Sequence, residues 1–245
     1  MVTFMASSAA YKLTMLVGCE FLCIEGSRSV AVLTVSMQYK DVLSDLQMFY
    51  ARDADERDRA PKTSWKIEER QRFLEQLVLE NKQRFLEIGA GTGQDSLFFQ
   101  QHGLDVICTD FSPEMVERCQ QKGLTAHVMD FMRPDYPPNS FDAIYAVNCL
   151  LHVPKAAIAS VLEKIRDLLQ VDGLFYIGMY GGEDKEGIFY YGPQKRGRFY
   201  SYHSTAHLTE LLEKYFEIVY FRSIELDFAD RACFQSVILR KRMET

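Results

Sequence analysis

Glu87-Ile88-Gly89-Ala90-Gly91-Thr92-Gly93 sets three glycines at alternate positions behind an acid. The run lies where a short apolar stretch gives way to an amphipathic one, and a strand-to-helix turn is the setting in which a glycine loop binds a ligand. Glycine lets the chain turn sharply and lets a ligand approach with no Cβ in the way. A second acid, Asp110, closes the next apolar run 21 residues after Gly89, where a carboxylate accepts hydrogen bonds from a ribose diol. Together they describe an adenosine-type cofactor site. A dinucleotide loop of the form G-x-G-x-x-G/A needs Gly or Ala at position 94, which is Gln94.

Such a site needs a sheet that brings strand ends level. Residues 61–79 carry Trp65, Phe73, Leu74, Leu77 and Val78 at helical spacing, with Thr63 or Ser64 as the cap. From Arg84 the pattern alternates strand-like runs (85–88, 106–108, 126–129, 141–147, 174–179) with amphipathic helices (94–102, 113–122, 154–169). That alternation predicts βαβ units and a parallel sheet, an α/β fold. A helix over 205–215 then precedes two strand-like runs, 216–226 and 232–240, with no helix between them, so these pair antiparallel. Residues 181–204 are rich in Gly, Tyr and charge without a period and read as a long functional or mobile loop.

At this point the chain resembles the class I S-adenosylmethionine-dependent methyltransferases, from about residue 40 to 242. The resemblance rests on Glu87 and the G-x-G-x-G loop, Asp110, Val128-Met129-Asp130-Phe131, Phe141-Asp142-Ala143-Ile144, Leu150-Leu151-His152-Val153-Pro154 and the turn Asp172-Gly173. It implies a Rossmann-like open twisted seven-stranded sheet of order 3-2-1-4-5-7-6, the last strand antiparallel, with helices on both faces. It also implies S-adenosylmethionine as cofactor, held by Gly89, Gly91 and Gly93, by Asp110 and Phe111 at the ribose, and by Asp130 and the Phe131 amide at the adenine. Glu87 then acts through the loop or on the cofactor's amino group, and the Asn148 carbonyl contacts the methionine part. The sulfonium is an activated methyl donor, so positioning dominates and no side chain is assigned as a catalyst. Plainer roles stay open: Asp110 as a helix cap, Asp130 as a turn acid, Asn148 as a strand-end hydrogen bonder.

On the acceptor side stand His152, Tyr191, Tyr200 and His203 as substrate-binding candidates. His152 is either a base for the acceptor or a structural histidine. Tyr190, Phe199 and Tyr202 extend the same aromatic set, which forms a substrate lid or packs on the sheet edge. Lys195-Arg196-Gly197-Arg198 and Arg240-Lys241-Arg242 read as solvated charges, the first group with an acidic substrate as its alternative partner.

The 245 residues are 47% hydrophobic and 25% charged, ordinary for a globular chain, which excludes wholesale disorder, collagen and coiled coil. A net charge of −6 argues against nucleic acid as partner and, with no recognition module, favours a small-molecule acceptor. Six scattered cysteines indicate a reducing cytoplasm, and Cys19 and Cys23 lack further ligands for zinc, so no metal is expected. No membrane span is expected, because Glu20, Glu25 and Arg28 break the one apolar candidate. Rival readings are a nicotinamide-dependent oxidoreductase and a silent cofactor-binding protein; oligomeric state stays open. Residues 1–36 read as an extension, with a hairpin from 11–24 and 30–37 or without structure, ahead of a methyltransferase domain at 37–245. On the hypothesis that Met37 is the natural start, mass spectrometry of natively expressed protein finds no peptide from residues 1–36; one such peptide refutes it.

Overall fold

The computed structural model describes residues 5–6, 9–10, 46–47, 49–50, 54–191, 196–226 and 233–242. Two units divide the chain, residues 1–37 and 38–245. In the first, Met5–Ala6 pairs antiparallel with Ala9–Ala10. The hairpin expected from 11–24 and 30–37 lies outside the described residues.

In the second unit, helical residues at 54–59 lead into α1 (Ser64–Leu79). Then follow β1 (Arg84–Ile88), α2 (Gln94–Gln101), β2 (Asp105–Asp110), α3 (Pro113–Gln121), β3 (Thr125–Val128) and β4 (Phe141–Val147). A 3-10 turn at Leu150–His152 precedes α4 (Lys155–Leu168), β5 (Leu169–Gly181), β6 (Lys185–Tyr191) and β7 (Arg196–Tyr202). The chain closes with α5 (Thr205–Glu213), β8 (Phe216–Glu225) and β9 (Cys233–Lys241). The seven-stranded sheet runs 3-2-1-4-5-9-8. β1 to β5 are parallel, and β9 lies antiparallel between β5 and β8. This is the expected order, with β6 and β7 inserted ahead of the final pair.

The central strands read as unbroken apolar runs because both faces of the sheet are covered. On one face Phe73, Leu74 and Leu77 of α1 and Phe99 of α2 cluster with Phe85, Tyr145 and Tyr176. Tyr145 stacks against both Phe73 (centroids 5.8 Å) and Tyr176 (4.7 Å). On the other, Ile158, Val161, Leu162 and Ile165 of α4 cluster with Leu86, Ile144, Phe175 and Ile177. Each such buried side chain contributes about 1.5–3 kcal/mol. Register then levels the strand ends: Ile88 pairs with Thr109 of β2 and Ala146 of β4, so Gly89, Asp110 and Asn148 leave the sheet along one edge. The order reverses between β1 and β4, and ligands of open α/β sheets bind outside such a switch point. Among the described residues no helix is long and apolar enough to cross a membrane.

Two expectations are corrected. Residues 181–204 are no irregular loop: Lys185–Tyr191 and Arg196–Tyr202 form an antiparallel hairpin, paired from Lys185↔Tyr202 to Tyr191↔Arg196. Aromatic residues favour extended chain, and Phe189, Phe199, Tyr200 and Tyr202 outweigh the glycines that obscured the pattern. Nor are Arg240 and Lys241 free in solvent, although Arg242 is exposed. Arg240 grips Glu80 with two nitrogens at 2.8 Å each, and Lys241, 9% exposed, donates to the Leu169 carbonyl and Asn139 Oδ1.

Glu69 holds α1 against the last strands. It is 1% exposed and accepts from Ser236 Oγ (2.6 Å), Arg222 Nη1 (2.8 Å) and the Tyr220 hydroxyl (3.2 Å). Glu69→Ala leaves Ser236 buried with one acceptor fewer and is predicted to cost about 2–4 kcal/mol, whereas Arg222→Ala, at a half-exposed site, costs about 1 kcal/mol. Urea unfolding of both variants checks the ranking; equal losses contradict it.

Candidate active site

The glycine loop leaves β1 with Gly89, Gly91 and Gly93 all at positive φ (64°, 55° and 77°). At Gly89 a side chain is excluded twice over, since an added Cβ would sit 2.3 Å from Cys149 Cβ. At Gly91 the same atom would meet nothing within 4 Å: the backbone there faces open space, as close ligand approach requires. Asp110 fixes the loop. Its Oδ2 accepts from the Gly91 amide and its Oδ1 from the Ser112 amide, both at 2.9 Å. The cap of α3 is Ser112, which accepts from the Met115 amide, so Asp110 is not the capping residue. Burial raises the Asp110 pKa, partly offset by those two amides.

Glu87, 3% exposed, accepts from Ser96 Oγ at 2.5 Å. Burial first, then the Asp95 charge, raises its pKa well above the usual carboxylate range. Asp95 in turn is held by Lys62 and Arg70, each at 2.9 Å. Glu87, Gly89, Gly91, Asp110, Phe111, Phe131 and Asn148 line one cavity of about 300 Å³, the lower end of ligand-site volumes. Asn148 sits at φ 54°, its amide donates to the Gly178 carbonyl (2.8 Å), and its buried Oδ1 has no partner among the described residues.

His152 lines the same cavity from the 3-10 turn. Its Nδ1 lies 2.7 Å from the Phe199 carbonyl, which only accepts, so Nδ1 carries the proton. The bare Nε2 therefore accepts from the Tyr50 hydroxyl, also at 2.7 Å. Burial pushes the His152 pKa down to about 3, which keeps the ring neutral. Burial raises the Tyr50 pKa, and the charges of Arg57 and Arg198 oppose that rise. The Arg57 guanidinium stands 4.5 Å from the Tyr50 ring centroid, and that of Arg198 4.3 Å from Phe49. Arg198 is thus half-buried against aromatic rings, not a solvated charge.

The other expected residues are placed differently. Asp130 is not among the lining residues; its Oδ1 accepts from the Met132 amide at 2.9 Å, while its neighbours Met129 and Phe131 face the cavity. Tyr200 packs behind the site, 5.0 Å from the His152 ring and stacked on Tyr202. His203 lies apart, at the root of the β6–β7 hairpin with Asp184 and His207. The side chain of Tyr191 is outside the described residues, and Tyr190 is 66% exposed. Sequence reasoning missed Tyr50, Arg57, Lys62, Lys66 and Phe234, all of which line the cavity. None sits in a motif; only the folded chain brings them there.

A family model described as "Methyltransferase domain" matches residues 85–173. The phosphoethanolamine N-methyltransferase of Plasmodium falciparum is 24% identical over 127 residues, which cover 49% of this chain and 47% of the relative. The chain spans under half the length of the curated relatives it matches. Among solved structures, a Burkholderia thailandensis 1,6-didemethyltoxoflavin-N1-methyltransferase with bound S-adenosylhomocysteine superposes with a TM-score of 0.64 at 20% identity, covering 84% of this chain and 92% of that one. The magnesium protoporphyrin IX methyltransferase of Synechocystis PCC 6803 gives 0.61 at 15% identity, covering 82% and 100%. At these identities the structural likeness speaks to the fold. Residues 85–173, the stretch similar to that methyltransferase-domain family, hold the glycine loop, Asp110, Asn148 and His152.

Proposed function

We propose that the chain transfers the methyl group of S-adenosylmethionine to a small-molecule acceptor. One observation carries this reading: a single cavity is lined both by the glycine loop with Asp110 and by the Tyr50–His152 pair. The residues present fit the cofactor. Gly91 offers open backbone, Asp110 a carboxylate for the ribose hydroxyls, Phe131 an apolar wall for the adenine, and Asn148 an orphaned buried oxygen for the ammonium of the methionine part. Bound S-adenosylmethionine supplies a methyl group already activated on sulfonium, so the protein's task is to hold an acceptor in line.

Tyr50 serves that task. With its proton committed to His152 Nε2, the phenol oxygen accepts a hydrogen bond from an acceptor N–H or O–H. Its role is to orient the acceptor, and the charges of Arg57 and Arg198 favour negative charge density on that oxygen. Arg57 and Lys66 line the cavity and form no ion pair among the described residues, which suits an acceptor bearing an anionic group. We assign the domain to residues 37–245 and the protein to the cytoplasm, a reading supported by four buried free thiols, Cys108, Cys119, Cys149 and Cys233.

Calorimetric titration of S-adenosylmethionine and S-adenosylhomocysteine is expected to show micromolar binding, weakened about 10- to 100-fold in Asp110→Ala by loss of a charged hydrogen-bond acceptor. Gly91→Arg, which fills the open space, is expected to bind neither. NADH binding in their place overturns the reading.

Tyr50→Phe is expected to lower methyl transfer about 100-fold with little change in S-adenosylhomocysteine affinity. For His152 the folded pKa of about 3 lies below the unfolded value of ~6.5. Its burial therefore favours folding fully above pH ~6.5, and that contribution is lost as pH falls from ~6.5 toward 3, where only the unfolded chain takes up the proton. Asp110 and Glu87, with raised values, act in the opposite sense, so the comparison must be with His152→Gln. Urea unfolding at several pH values is expected to show wild type losing more stability than this variant between pH ~6.5 and ~4. Parallel curves contradict the neutral assignment.

A further inference from the structure

The root of the β6–β7 hairpin carries a second cluster, outside the cavity. Asp184, just before β6, His203, just after β7, and His207, in the first turn of α5, each offer one ligand atom, and these atoms lie within 4.8 Å of one another. His203 is the anomaly. It is 1% exposed, yet neither ring nitrogen has a hydrogen-bond partner among the described residues. Buried polar atoms are nearly always bonded, and an imidazole with both nitrogens orphaned beside a carboxylate and a second imidazole lacks a partner that donates nothing and accepts electron pairs.

We propose that Asp184, His203 and His207 bind a divalent transition-metal ion, with zinc the best match. Two imidazoles and one carboxylate form a borderline-soft N,N,O set that suits zinc, cobalt or nickel and not the oxygen-seeking calcium or magnesium. Three protein ligands leave a further position for water. The backbone is built to hold the buried ligand: the His203 carbonyl accepts from the Gly182 amide (3.0 Å) and from Gln235 Nε2 (2.9 Å). His203, just ahead of the Ser204 cap, and His207, in the first turn of α5, bring their ring centroids to 5.0 Å. Access is open, because the side chains of Asp184 and His207 are 40% and 43% exposed.

Two features oppose a cation here, and both are adjustable. Lys155 Nζ lies 3.1 Å from Asp184 Oδ1, on a side chain 28% exposed that swings into solvent when the ion enters. The α5 N-terminus carries a partial positive charge, which the Asp184 carboxylate faces and offsets. At present Asp184 satisfies itself with Ser204 Oγ (2.5 Å), His207 Nδ1 (2.7 Å) and Lys155, leaving His203 without a share. A metal ion replaces the His207–Asp184 bond and takes in His203, fastening the hairpin root to α5. Such a site departs from the expectation of a metal-free protein drawn from the cysteines.

The test is titration of Zn2+ against a competing chelating indicator, and of Co2+ by visible absorption, into the full untagged chain under reducing conditions. One equivalent of micromolar or tighter zinc is expected, together with cobalt bands of a site with nitrogen and oxygen donors and no thiolate charge-transfer. His207→Ala, at a half-exposed position, and His203→Ala are each expected to weaken zinc at least 10-fold. Lys155→Met is expected to tighten it, since the competing ammonium is gone, a result that a fold defect cannot imitate. No stoichiometric zinc in the wild type, unchanged affinity in His207→Ala, or thiolate bands with cobalt each overturn the proposal.

Discussion

The carboxylate of Asp110 is the point on which the cofactor side of this protein turns. Two backbone amides from separate loops, Gly91 and Ser112, converge on its two oxygens. Each amide sits in a connection whose glycine or turn conformation leaves it without a ladder partner, and a buried charge gathers both. The parallel register of β1 with β2 sets the separation that makes this possible. A shift of one residue would turn Asp110 to the other face of the sheet and release both loops at once. The same oxygens accept from the protein and, in the proposed function, from a ribose, so loop geometry and ligand affinity share one group.

The acceptor side is organised by a different principle. There a neutral histidine is caught between a carbonyl and a phenol, and burial keeps it neutral. Phe199 belongs to the hairpin and Tyr50 to the chain ahead of α1, so His152 holds two segments that have no ladder in common. Its value lies in orientation: one nitrogen donates, the other accepts, and the phenol oxygen is left with lone pairs directed by that choice.

Much of the cofactor side was readable from local pattern. The glycine spacing, the acid 21 residues on, and the alternation of apolar runs with amphipathic helices are all properties of neighbouring residues, and they led to the loop, Asp110 and an open parallel sheet, while the strand order came from the family resemblance. Tyr50, Arg57 and Lys66 were not readable, because nothing near them in sequence marks them; their positions follow from where α1 packs. The hairpin was misread because Gly182, Gly187, Gly192 and Gly197 masked strands held by aromatic pairing. His203 was assigned to the substrate on its aromatic company, whereas register carries it past the end of β7 to the hairpin root beside Asp184 and His207. Arg240 and Lys241 looked like a solvated tail and are instead tied to Glu80, Asn139 and Leu169, partners 70 or more residues away in sequence.

The placement of β9 has a bearing on the order in which the molecule is made. Glu69 draws its donors from the last two strands, the most distant being Ser236, 167 residues later, and Phe234 of the same strand packs against Trp65 while lining the cavity. A chain emerging from the ribosome thus possesses the glycine loop, Asp110 and His152 well before α1 gains its contacts to the last two strands. Contacts so distant in sequence form late, after the entropy of closing the intervening loop has been met. The ligand-binding wall is therefore among the last parts of the protein to mature, and a nascent chain short of its final strand holds the loop without the enclosure.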